Sequence, residues 1–143
     1  MSGQSVQVLL VEDDALDAQA IQRAFDKLKI ANHITVASDG VEALDRLRGE
    51  NGYERLQRPY VILLDINMPR MDGITFLKTI RDDNELKTSI VFVLTISDHE
   101  KHMTAAYNEQ IAGYFLKKNV GEEFLALPEL IRKYWRLVEF PSP

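Results

Sequence analysis

The chain has 143 residues, 45% of them hydrophobic and 27% charged, the proportions of an ordinary soluble domain with room for a sizeable core. Its 17 basic against 22 acidic side chains give a net charge of −5, which argues against nucleic-acid binding through a basic face; the absence of cysteine excludes disulfides, thiolate zinc sites and cysteine nucleophiles. The early apolar run Val8 to Val11 is far too short for a signal peptide or membrane span, so a cytoplasmic protein with no membrane association is expected.

Strand and helix signals alternate five times along the chain. The first apolar run, Val6 to Val11, ends in Glu12-Asp13-Asp14. A helix follows, with Ala18, Ile21, Phe25 and Leu28 on one face and Asp14 as its N-cap. His33 to Ser38 alternates as an edge strand does, and stops at Asp39-Gly40. Val41 to Arg48 reads as a short helix, and Gly49 to Pro59 as a polar loop. Tyr60 to Leu64 is apolar throughout, which marks a buried central strand, and Asp65 ends it. After the turn Ile66 to Gly73, Ile74, Leu77 and Ile80 set a third helix. Ile90 to Thr95 is the fourth strand. Ser97-Asp98-His99-Glu100 has capping-box spacing and opens a fourth helix. Gly113 to Lys117 is the fifth strand, and the last helix is expected from about Glu122 to Leu137.

This alternation predicts an α/β fold, a doubly wound five-stranded parallel sheet with helices on both faces. Strands one, three and four are the most uniformly apolar and belong in the centre, which fits the order 2-1-3-4-5. Ligands of such flavodoxin-like sheets sit at the carboxyl ends of the strands, near the switch point between strands one and three. Glu12, Asp13 and Asp65 fall there, and Thr95 and Lys117 end strands four and five on the same rim. A carboxylate half withdrawn from water at that rim is costly unless a cation lies beside it. Asp65 therefore reads as a site.

Taken in order, Glu12-Asp13, Asp65, Met68-Pro69-x-x-Asp72-Gly73, Thr95 and Lys117 resemble the receiver domain of a bacterial two-component response regulator, over about residues 6 to 136. Leu94-Thr95-Ile96-Ser97, Tyr107, a non-proline after Lys117 and the tail from Tyr134-Trp135 to Pro141 are similar to the single-domain regulators that partner phytochromes. The resemblance implies one receiver domain over residues 1–143, with a core of about 6–136 and a tail of 137–143. It implies that Asp65 takes a phosphoryl group from a sensor histidine kinase, with a phytochrome among the candidates, in a reaction dependent on Mg²⁺ (or Mn²⁺). By the same family pattern Asp13, Asp65 and the backbone carbonyl of Asn67 hold the metal, Glu12 acts through water, Thr95 and Lys117 bind phosphoryl oxygens, and Tyr114 follows Thr95 as an aromatic switch. The elementary chemistry agrees. A carboxylate can attack phosphorus, and phosphoryl transfer chiefly needs alignment and charge neutralisation. The module so implied acts on no substrate other than its own phosphoryl group. Only eight residues follow Trp135, so the signal is expected to travel by protein contact, to the kinase or a downstream phosphotransfer protein.

Other readings compete. A flavodoxin-like nucleotide binder needs a Ser/Thr/Gly cradle after the first strand, where Glu12-Asp13-Asp14 would repel phosphate unless a metal intervened. A phosphatase with an aspartyl nucleophile wants a second acid where Asn67 stands. The serious rival is a phosphorylation-independent protein-binding module on a receiver scaffold. His33, His99 and His102 are expected at the surface, without grouped metal spacing. Two residues depart from the family. Lys118 replaces a proline whose peptide bond is cis, and a cis bond to a non-proline costs roughly 3–4 kcal/mol. Pro128 lies inside the last helical pattern, cannot donate to the carbonyl of Phe124, and is expected to bend or break that helix. Finally, Leu127, Ile131 and Tyr134 form a stripe for the sheet, while Trp135, Leu137, Val138 and Phe140 add apolar surface beyond it. That surplus predicts a homodimer, against a tail that folds back over its own core.

Overall fold

A computed structural model describes residues 6–30, 33–68, 70–121 and 123–141. Strands β1 (Gln7–Val11), β2 (Ile34–Ala37), β3 (Tyr60–Leu64), β4 (Ile90–Thr95) and β5 (Gly113–Leu116) form one parallel sheet in the order β2-β1-β3-β4-β5. Helices α1 (Ala15–Lys27), α2 (Gly40–Arg48), α3 (Gly73–Asp82), α4 (Glu100–Asn108) and α5 (Ala126–Leu137) connect or follow them. The apolar runs explain the order. Every residue of β3 and nearly all of β1 and β4 are buried, whereas β2 and β5 are mostly half-buried and take the edges.

Alternation along each central strand divides the core in two. Leu9, Val11, Ile62, Leu64, Val91 and Val93 face Leu44 and Leu47 of α2 and Phe76, Leu77 and Ile80 of α3. Val8, Leu10, Val61, Leu63, Phe92 and Leu94 face Ala18, Ile21 and Phe25 of α1 and Leu127 and Ile131 of α5. Phe25 and Phe76 are enclosed, one in each layer. Removing such a ring typically costs about 3–5 kcal/mol, since both the transfer gain and the packing around it are lost.

Four local expectations are corrected. The last helix begins at Ala126, not near residue 122 (Glu122 lies outside the described residues), after Phe124 in a left-handed conformation at φ 58°. Pro128 therefore stands in the first turn, where a backbone N–H has no intrahelical acceptor, and it starts the helix instead of bending it. The carbonyl of Phe124 accepts from Leu127 N at 3.2 Å instead. The cap of α4 is His99, whose ring nitrogen accepts from Lys101 N, and not Ser97, whose hydroxyl is engaged elsewhere. Strand β5 stops at Leu116, so Lys117 opens a single 3-10 turn, Lys117–Asn119.

The tail leaves α5 in extended conformation at Val138 and turns back onto its own domain. Phe140 packs against the layer that holds Tyr134 and Trp135, and with Pro141 lines a small crevice beside Pro59, Tyr60, Ser89 and Ile90. Tyr134 meets Phe92 edge-on at 5.0 Å between ring centroids. Leu137 stays 85% exposed.

Candidate functional site

Parallel register brings the site together. Val11 pairs with Leu64, so Glu12 and Asp65 leave the sheet at the same level. Asp65 N donates to the carbonyl of Val11 at 3.0 Å, and Glu12 N to that of Ala37 at 2.9 Å. One strand further, Thr95 pairs with Leu116, which puts Lys117 just beyond the same edge. The following turn is tight. A Cβ on Gly73 would lie 2.5 Å from the Ile66 Cα, so no larger residue fits, while Gly73 N donates to the carbonyl of Ile66 at 3.0 Å. Asp72 closes the turn by capping α3, accepting from Thr75 N at 2.9 Å. Pro69 lies outside the described residues.

Donors converge on the Asp65 carboxylate. Its Oδ1 accepts from the Thr95 hydroxyl at 2.9 Å and from Asn67 N at 3.0 Å. Its Oδ2 accepts from Lys117 Nζ at 3.3 Å. The same ammonium donates to Glu12 Oε1 and to Asp17 Oδ2, each at 2.7 Å. Glu12, Asp65 and Thr95 are buried, and Asp13 beside them is exposed. Burial pushes the Glu12 carboxyl up to about 7; the Lys117 hydrogen bond opposes that rise and the Asp65 charge adds to it. Burial works against the charged form of Lys117, but the hydrogen bonds to Asp17 and Glu12 outweigh it and hold the ammonium above its ordinary range.

Oxygen atoms of Glu12, Asp13 and Asp65 lie within 4.8 Å of one another. Three hard carboxylate donors, two of them drawn out of water and mutually repelling, are the chemistry that a small divalent cation requires. The donor set therefore fits Mg²⁺ or Mn²⁺. Asn67 stands two residues beyond Asp65, with its N–H turned to the carboxylate.

Behind Thr95, Tyr114 on β5 donates its phenol proton to the carbonyl of Ser97 at 2.8 Å, and burial raises that phenol's pKa. Ser97 N in turn donates to the Thr95 hydroxyl at 3.4 Å, so the tyrosine is joined to Thr95 through one residue. Ser97 Oγ and His102 Nδ1 are 2.6 Å apart. His102 is thus half-buried and bonded, which corrects its expected surface position; His33 and His99 are exposed.

All seven residues singled out from sequence lie around this one rim, and an eighth joins them. Asp17 carries no motif and was not singled out. Its one legible signal is position: it stands in the first turn of α1, three residues after the Asp14 cap, which accepts from its N–H at 3.2 Å. Among the described residues the cis peptide is Arg58–Pro59, so the bond between Lys117 and Lys118 is trans. The ammonium still reaches Asp65.

The model of the response regulator receiver domain matches residues 8–127. Response regulator Rcp1 of a Synechocystis species is 31% identical over 128 residues, covering 90% of this chain and 87% of that protein. The probable methanogenesis regulatory protein FilR2 of Methanothrix harundinacea is 35% identical over 128 residues, covering 90% and 82%. Among solved structures, the phosphorylated cyanobacterial phytochrome response regulator RcpA superposes with a TM-score of 0.86 at 31% identity, covering 97% of this chain and all of that one. The Mn²⁺-bound form of Rcp1 gives 0.83 at 30% identity, covering 96% and 99%. With the sheet order and the acidic rim already in place, these likenesses establish that the chain belongs to the response regulator receiver family, phosphoacceptor signalling modules of two-component systems.

Proposed function

We propose that Asp65 is the phosphoacceptor. The observation that carries this reading is the convergence of Thr95, Asn67 N–H and Lys117 on the two oxygens of one buried carboxylate, beside two further acids. An Asp65 oxygen bonds to phosphorus as the phosphorus–nitrogen bond of a kinase phosphohistidine breaks and its electron pair returns to the imidazole. Thr95 and Lys117 then donate to the phosphoryl oxygens in place of the carboxylate. Asp13 and Asp65, with the carbonyl of Asn67 and with Glu12 through water, would hold Mg²⁺, which would supply positive charge to offset that of the incoming phosphoryl group. Tyr114 reads the state of Thr95 through Ser97. Water later hydrolyses the acyl phosphate in the same pocket. Similarity to regulators of cyanobacterial phytochromes and of red-light signalling in R. palustris (0.79 TM-score, 30% identity) favours a phytochrome-type histidine kinase as donor. We further infer one receiver domain with a core of about 6–136, a cytoplasmic setting, and a downstream phosphotransfer protein among its contacts; no described helix is long and apolar enough to cross a membrane.

Mass spectrometry after incubation with a small phosphodonor and Mg²⁺ tests the acceptor. One phosphoryl group should appear on the unaltered protein and none on Asp65→Asn, whose amide is nearly isosteric but a poor nucleophile. Labelling of the substituted protein at the original rate would refute the assignment. It would leave the phosphorylation-independent binding module as the better reading.

A homodimer through the carboxyl-terminal end is part of the same proposal. Phe140 and Trp135 are partly covered by their own domain, so the surface left for a second copy centres on Leu130 and Leu137. Light scattering at micromolar concentration should detect the dimer, and Leu137→Asp should dissolve it. Truncation after Lys133 is the poorer test, because it also removes Tyr134 from Phe92.

A further inference from the structure

The three protons of the Lys117 ammonium meet three carboxylates: Glu12 and Asp17 at 2.7 Å, and Asp65 at 3.3 Å. These three are unequal. Glu12 and Asp65 belong to the acidic group able to hold a cation, so any bound divalent ion competes with Lys117 for both. Asp17 lies outside that group. It sits on helix α1, its backbone N–H fixed by the Asp14 side chain, and is partly open to solvent. The backbone of Lys117 gives little guidance, because it opens a 3-10 turn with no side-chain cap. A flexible four-carbon stem needs an external anchor to present its charge in one place.

We propose that Asp17 is the positioning residue for Lys117, the acceptor that keeps the ammonium poised over Asp65 when the metal ligands are otherwise engaged. This inference rests on the phosphoacceptor reading of Asp65. With the metal bound, the hydrogen bond to Asp17 stays, and the N–H now on the longest of the three contacts turns from the Asp65 oxygen to a phosphoryl oxygen without the side chain moving away. Asp17 touches no reacting atom; it acts through Lys117. In its absence the ammonium spreads over other rotamers or collapses onto Glu12, and in either case it meets the phosphoryl group late.

The test compares the unaltered protein with Asp17→Ala, Asp17→Glu, Lys117→Ala and the double variant Asp17→Ala/Lys117→Ala, at saturating Mg²⁺. The readouts are beryllofluoride affinity, as the phosphoryl analogue, and the rate of phosphorylation by acetyl phosphate. Asp17→Ala should weaken both by roughly tenfold to a hundredfold, the penalty of a misplaced catalytic group. Asp17→Glu should recover most of the loss, and the Asp17 effect should vanish once Lys117 is already alanine. An Asp17→Ala protein that matches the unaltered one overturns the inference. So does a loss of the same size in the Lys117→Ala background, which would mean that Asp17 acts on the helix and not through the lysine. If the unaltered protein neither binds beryllofluoride nor takes a phosphoryl group, the phosphoacceptor reading itself fails and carries this inference with it.

Discussion

Two half-buried cations, at opposite ends of the sheet, are held in opposite ways. Arg81, at the end of α3, donates only to backbone carbonyls: Glu109 at 2.7 Å, Lys87 and Ser89 at 2.8 Å, and Gln110 at 3.1 Å. Those carbonyls belong to the segments that lead into β4 and β5, so one guanidinium ties both strand entrances to α3. Its partners are neutral backbone carbonyls set in place by the fold. Lys117 is surrounded instead by three carboxyl side chains, two of which a metal can claim. The planar fork suits a permanent knot, and the rotating ammonium suits partners that change. One end of the sheet is built to stay, the other to exchange.

Breaking each cation separates the two roles. Lys117→Ala should slow phosphoryl acceptance by roughly 10²-fold, the usual loss for a donor aimed at developing charge, measured with acetyl phosphate and Mg²⁺. Folding should survive it, although Glu12, Asp17 and Asp65 then face one another unshielded and lean more on the metal. That dependence can be measured directly. Mg²⁺ at 100 times its dissociation constant should stabilise the unaltered protein by about 2.7 kcal/mol in thermal or denaturant unfolding. Asp13→Ala should remove most of this response, and a melting curve indifferent to Mg²⁺ in the unaltered protein would sink the metal site.

Arg81→Ala should act the other way. It should cost about 2 kcal/mol of stability, because it strips the partner from several carbonyls at once, while the folded protein accepts phosphoryl groups at its original rate. A fall in that rate would show that the two ends are coupled. The smallest effect concerns pH. The Glu12 carboxyl rises from an ordinary 4.5 to about 7 in the folded protein. A raised carboxyl contributes stability that is complete below 4.5 and lost as pH climbs through about 7, since the fold then has to carry the buried charge. Metal-free protein should therefore soften over that window, and Glu12→Gln should flatten the slope in a pH series of melts.

The rim was legible in advance because its motif residues stand at or just beyond the ends of apolar strands, and a parallel register aligns strand ends. Glu12, Asp65 and Thr95 needed only the strand boundaries and the order 2-1-3-4-5 to meet. Asp17 was not legible by that logic. Its partner stands 100 positions away, and nothing in the spacing of Asp13, Asp14 and Asp17 distinguishes a capping acid from an anchoring one. The cap of α4 misled for a related reason. Ser97 has the right distance from Glu100, but its hydroxyl lies 2.6 Å from His102, and the cap passes to His99.

By itself the sequence determined the alternation of strands and helices, the choice of central strands and the clustering of acids at one edge. These follow from hydrophobic periodicity and from the stereochemistry of parallel crossovers, both readable over a few residues. Only the tertiary structure decided where Lys117 leaves the strand, that α5 begins after Phe124, that the tail closes on Phe140, and that Asp17 shares the lysine. Each depends on how side chains far apart in sequence compete for the same space or the same proton, and local patterns carry no record of that competition.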